Sequence, residues 1–85
     1  MITLTLLTQD DCAWCERAKQ LLADLAADFP HQLDEVALDT VGGRELAARH
    51  RLLFAPGLLH DGQLIAHGRP SARALRRELN RISHP

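Results

Sequence analysis

The chain has 85 residues, 46% hydrophobic and 25% charged, with a formal net charge of −1. That length is one domain, 1–85, near the lower size at which a chain folds around its own core, and this composition excludes wholesale disorder. The near-zero charge excludes a general attraction to nucleic acid or anionic membrane, and no apolar run is long enough to span a bilayer.

Residues 2–7, ITLTLL, are β-branched and aliphatic and predict a strand buried on both faces. Next comes TQDDCAWCERAK, 8–19, which holds both cysteines, Cys12 and Cys15. From Trp14 the period turns helical: Trp14, Ala18, Leu21, Leu22, Leu25 and Phe29 fall at helical spacing until Pro30 ends the run. QLDEVALD, 32–39, mixes Leu33, Val36 and Leu38 with polar residues, as a half-exposed or edge strand does. Gly42-Gly43 predicts a loop, and GRELAARHRL, 43–52, a second helix with Leu46, Ala47 and His50 on one side. After Pro56, GLLH and QLIAH predict two short strands about a hairpin turn at Asp61-Gly62. Ser71 is placed to cap a last helix whose stripe is Ala72, Leu75, Leu79 and Ile82. Arg69, Arg73, Arg76, Arg77 and Arg81 form the polar face of this C-terminal stretch. With no aromatics interleaved to stack on bases, they predict a solvated helix face and not a nucleic-acid site.

The order is βαβαββα. A right-handed crossover makes the first two strands parallel, and the hairpin adds antiparallel ones. The expected fold is α/β, a four-stranded mixed sheet flanked by three helices. The chain opens on no charged-then-apolar export signal, so the expected location is cytoplasmic and the expected state a monomer.

The spacing of the cysteines admits three readings: a redox pair, half of a metal site, or two small buried neighbours. In a reducing compartment a close pair is catalytic or metal-binding more often than structural, and a bridge across so short a loop constrains little of the unfolded chain. One C-x-x-C supplies two ligands where structural zinc takes four, and the histidines at 31, 50, 60, 67 and 84 are scattered. No metal or cofactor is therefore expected within one chain. An iron–sulfur cluster shared between two copies would still find four thiolates. Cys12 falls where strand passes into helix, where free N–H groups and the helix dipole stabilise a thiolate. Cys15 lies one turn on and more buried. That order suits Cys12 as nucleophile and Cys15 as the thiol that resolves the mixed disulfide. Asp10 and Asp11 oppose the thiolate, while Arg17 and Lys19 offset part of their effect. Pro56 cannot sit mid-strand and must open the third strand or a bend. From the residues alone its peptide bond is expected to be trans, since about 5–6% of folded X-Pro bonds are cis.

Three segments, CAWCERAKQLL at 12–22, FAPGLLHDGQLIAHG at 54–68 and SARALRREL at 71–79, resemble glutaredoxins and the small glutaredoxin-like members of the thioredoxin superfamily. Cys12, Cys15, Ala18, Lys19, Leu21 and Leu22 match the family's C-P-Y-C and A-K-x-L-L pattern, with Trp14 at the aromatic position. The resemblance implies a thioredoxin/glutaredoxin-like fold and a thiol–disulfide oxidoreductase acting as a protein-disulfide reductase. It also implies a cis-proline, Pro56, facing the cysteines. The Ala55 backbone would pair with substrate, and Trp14, Ala55, Pro56, Gly68 and Arg69 would make up the substrate-binding set. The implied partners are a disulfide-containing protein and an upstream thiol reductant, with no cofactor, nucleic acid or membrane. The chain departs from the glutaredoxin pattern where glutathione is held. Asp10 and Asp11 replace a basic residue, and HGRPS at 67–71 stands where paired glycines and an aspartate would be. These departures point away from a typical glutathione-dependent mechanism. The buried aspartate of thioredoxins has no counterpart in LTLL. The alternative is a binding module of the same fold that docks a metal, a cluster or a partner without turnover.

Overall fold

The computed structural model describes residues 1–84. Its first strand, β1 (Ile2–Thr8), is interior to the sheet, with β2 (His31–Ala37) parallel on one side and β3 (Gly57–His60) antiparallel on the other. β4 (Gln63–His67) completes the order β2-β1-β3-β4. Three helices complete the chain: α1 (Ala13–Leu25), α2 (Val41–His50) and α3 (Ala72–Ser83). The four-stranded mixed sheet with three helices is the architecture expected from the sequence. β2 is an edge strand, as its mixed composition implied. Among the described residues no helix is long and apolar enough to cross a membrane.

Alternation along β1 explains its burial on both faces. Leu4 and Leu6 point into a core cluster with Leu21, Leu22, Leu25, Leu75 and Leu79, while Leu7, on the other face, is equally buried. Each such leucine contributes about 1.5–3 kcal/mol by leaving water. α1 and α3 therefore supply most of one side of the core, and α2 packs against β2.

Two expectations are corrected. The helical spacing ran to Phe29, but α1 stops at Leu25: the Ala26 N–H bonds Ala23 O at 3.3 Å and the Phe29 N–H bonds Leu25 O at 2.9 Å. A tightened turn at Ala26, followed by a turn that closes on the Leu25 carbonyl, thus brings Phe29 into the core without extending the helix. Gly42-Gly43, expected as a loop, forms the first turn of α2. Thr40 caps that turn, its Oγ1 accepting the Gly43 N–H at 3.0 Å and donating to Ala37 O at 2.7 Å. A Cβ at Gly43 would fall on the Ala37 carbonyl oxygen and 3.0 Å from Leu38 Cα. The glycine allows the helix start to touch the end of β2. The Asp61-Gly62 hairpin forms as expected, both residues having positive φ (49° and 76°), the combination a type I′ turn requires. Ser71 caps α3, its Oγ accepting the Ala74 N–H at 3.2 Å.

Candidate active site

β1 ends in a three-residue segment, Gln9–Asp11, and Cys12 follows as the N-cap of α1. The sheet fixes this approach: the Leu38 N–H donates to Thr8 O at 2.8 Å, immediately before Gln9. Asp11 has φ 51°, a left-handed conformation that aspartate tolerates better than most residues, and it turns the chain into the helix. Cys12 and Cys15 are joined by a disulfide with Cα atoms 5.2 Å apart. Cys12 is half-buried, whereas Cys15 is 2% exposed. The difference follows from position, since Cys12 stands at the cap while Cys15 faces inward one turn later. In place of a serine or aspartate, the Cys12 sulfur caps the helix, accepting the Cys15 N–H at 3.1 Å. An N–H aimed at that sulfur favours its anionic form once the bridge is reduced.

Opposite Cys12 runs the segment that leads into β3. The Ala55–Pro56 peptide bond is cis, and Ala55 O lies 3.9 Å from Cys12 Sγ. Ala55 and Pro56 are both buried. Around the sulfur a shallow pocket of about 290 Å3 is lined by Gln9, Cys12, Ala13, Trp14, Phe54 and Ala55. Trp14 is 50% exposed and Phe54 71%, with Leu53 beside it at 82%. Two large apolar side chains that line the pocket at the sulfur, Trp14 and Phe54, thus stand largely in water, and Leu53 next to Phe54 in the chain does the same. Leu53, Phe54 and Gln9 were not among the residues singled out from the sequence. FAP at 54–56 was read for its proline, and the exposure of its phenylalanine carries no local signal.

Gly68 and Arg69 are placed elsewhere. They line a second cavity, about 270 Å3, with Pro56, Ser71, Leu75 and Arg77, which includes neither cysteine. Pro56 lines this second cavity and not the pocket at Cys12, which its neighbour Ala55 lines, and the Pro56 carbonyl accepts the Gly68 N–H at 3.0 Å. The structure therefore brings together Cys12, Cys15, Trp14 and Ala55, while Gly68 and Arg69 line the other cavity together with Pro56.

On the side away from Phe54, Asp10, Asp11, Cys12, Cys15, Lys19 and Glu35 share an open, mostly acidic cleft. Asp10 and Asp11 are exposed. Lys19 Nζ lies 3.0 Å from Glu16 Oε1 and 3.5 Å from Glu35 Oε1. Its pKa is raised above the ordinary lysine value, chiefly by the hydrogen bond to Glu16. Among the described residues no three His, Cys, Asp or Glu side chains gather into a metal-binding cluster.

No protein-family model matches the chain, and no curated protein matches it in sequence. Solved structures do match in shape. A thioredoxin from Halobacterium salinarum superposes with a TM-score of 0.72 at 18% identity, covering 99% of this chain and 76% of its own. Thioredoxin from Trypanosoma brucei brucei gives 0.66 at 22% identity, covering 100% and 77%. Glutaredoxin 1 from Francisella tularensis gives 0.60 at 16% identity, with the whole of both chains covered. The chain is a small protein of the thioredoxin fold.

Proposed function

We propose that this chain is a thiol–disulfide oxidoreductase that reduces disulfides in partner proteins, with Cys12 as nucleophile and Cys15 as the resolving thiol. The observation that carries this reading is the asymmetry of the pair: a half-buried, pocket-lining cysteine whose sulfur caps a helix, bridged to a fully buried one. In the reduced protein the Cys12 thiolate attacks one sulfur of a partner disulfide. A mixed disulfide forms and the partner's other sulfur leaves as a thiolate, which takes up a proton. The Cys15 thiol, on losing its proton, attacks Cys12 Sγ, regenerates the intramolecular bridge and releases the second partner thiol. Two electrons pass from the dithiol to the partner, and an external thiol reductant restores the starting state. Trp14, Ala55 and Pro56 form the docking surface, with Gly68 and Arg69 an outlying subsite. Glutathione is disfavoured as the direct substrate because exposed Asp10 and Asp11 repel its carboxylates. The setting is the cytoplasm and the working unit a monomer.

The test is equilibration of the Cys12–Cys15 couple with defined dithiol buffers, together with the pH dependence of alkylation of the reduced protein. A reversible couple, with one thiol titrating clearly below about 8.5, is expected. Cys12→Ser should abolish disulfide reduction, and Cys15→Ser should accumulate mixed disulfides. Two ordinary thiols with no defined couple would overturn the reading in favour of a binding module without turnover. A Cys15→Ser variant that traps nothing would overturn the assigned roles.

A further inference from the structure

The backbone N–H of Ala55 already has a partner. Gln9 lies 46 positions earlier, in the segment between β1 and Cys12, and its Oε1 accepts that N–H at 3.2 Å. Gln9 is an exposed residue, so its side chain has water available, yet it lines the pocket at Cys12 and its amide oxygen turns to the Ala55 N–H. Ala55 is 4% exposed, its carbonyl faces Cys12 Sγ, and strand pairing of β3 with β1 starts only at Gly57. The N–H is therefore a donor with little access to water beside the reactive sulfur, and it is satisfied by a primary amide carbonyl.

We propose that Gln9 is a specificity-determining residue whose carboxamide occupies the place of a substrate peptide carbonyl at Ala55. The inference rests on the docking reading of Ala55 given above. An extended polypeptide that pairs with Ala55 must displace Gln9, exchanging one amide–carbonyl hydrogen bond for another. A ligand without a backbone carbonyl in register gains nothing from that exchange and meets the Gln9 side chain as an obstacle. The residue thus selects extended polypeptides over small disulfides, and it keeps a poorly hydrated donor satisfied between encounters. The acceptor need only be a carbonyl, so the selection is by backbone geometry and not by side-chain sequence.

Removing the internal competitor should tighten peptide binding. Deleting a hydrogen bond of ordinary net strength corresponds to roughly a three- to ten-fold change in affinity. The experiment uses the oxidised protein, which exchanges no thiols with an S-methylated ligand, so it reads docking without turnover. A short, uncharged, extended peptide carrying one S-methylcysteine is titrated into wild type, Gln9→Ala and Gln9→Glu, and the Ala55 amide resonance is followed. Gln9→Ala is expected to bind the peptide three- to ten-fold more tightly and to exchange its Ala55 N–H with solvent faster in the free state. Gln9→Glu, which keeps an acceptor of the same reach, should bind no more tightly than wild type. Equal or weaker binding by Gln9→Ala, or an Ala55 amide equally protected in both proteins, would overturn the proposal. A missing redox couple would instead remove the oxidoreductase reading and leave this binding result standing.

Discussion

Adjacent glycines at the start of α2 should respond to the same substitution with opposite sign. A Cβ at Gly42 would have nothing within 4 Å, and neither glycine has a positive φ. Gly42→Ala therefore gains only the helix preference of alanine, about 0.5–1 kcal/mol. Gly43→Ala gains the same preference, but its methyl meets the Ala37 carbonyl and Leu38 Cα, both backbone atoms that no rotamer change removes. Overpacking of this kind costs about 1–3 kcal/mol. Pushing the helix start outward also stretches the cap from the Gly43 N–H to Thr40 Oγ1, a bond whose loss costs about 1 kcal/mol. The net expectation is a destabilisation of about 1–3 kcal/mol for Gly43→Ala, against a stabilisation of up to about 1 kcal/mol for Gly42→Ala. In urea melts followed by circular dichroism, such a gap separates the two midpoints by roughly 1 M at an m-value of about 1–3 kcal/mol/M. A Gly43→Ala protein as stable as wild type would refute the close approach of α2 to β2.

Further expectations concern single side chains. Arg51 ends α2 in the left-handed conformation with φ 54°, so Arg51→Gly should stabilise by about 0.5–1 kcal/mol, raising the melting temperature by several degrees. The folded pKa of Lys19 is raised, so its contribution to stability is fully present below about pH 10.4 and disappears as pH rises through the folded value. Denaturation of wild type across that alkaline range should therefore steepen relative to Lys19→Met, and equal slopes would contradict the ion pairs with Glu16 and Glu35. Arg76 sits 5.5 Å over the Phe29 ring and 2.9 Å from Asp28 Oδ2, but it is half in solvent. Arg76→Ala should cost no more than about 1 kcal/mol, read by the same melts. Asp11→Asn keeps a side chain that tolerates positive φ while removing a charge beside Cys12, so alkylation of reduced Cys12 should begin at lower pH. That shift should shrink in high salt, and a salt-independent shift would mean that the loop had rearranged.

Where the sequence was legible, the signal was local. The β-branched run of β1, the Asp61-Gly62 turn and the Ser71 cap are each decided by residues within one turn or one strand of one another. The place of Cys12 at a helix start followed from the same reasoning, because a change of hydrophobic period marks the junction. What escaped was decided by distant chain. Gly42-Gly43 carries the composition of a loop, and only the approach of the Ala37 carbonyl makes glycine the residue that fits a helix start there. The hydrogen bond from Ala55 to Gln9 joins residues 46 positions apart and leaves no periodic trace. Exposure of Leu53 and Phe54 is likewise a property of the assembled surface, since either side chain would read as core in isolation. Gly68 and Arg69 were grouped with the cysteines by resemblance, and they line a cavity that holds neither cysteine.

Only three residues separate β1 from the cap of α1, and the strand's last carbonyl is tied down by Leu38 on one side of them. A tether that short has almost no slack, and across the gap the Pro56 carbonyl is held by the Gly68 N–H. Cys12 and the Ala55–Pro56 segment thus face each other from two clamped mounts, like the jaws of a fixed gauge. In the proposed exchange the in-line approach of three sulfur atoms must then be reached by adjustment in the partner. Such a protein would discriminate among disulfides by their mechanical compliance: a bridge in a frayed or extended segment can bend into the gap, while one locked in a rigid core cannot enter it.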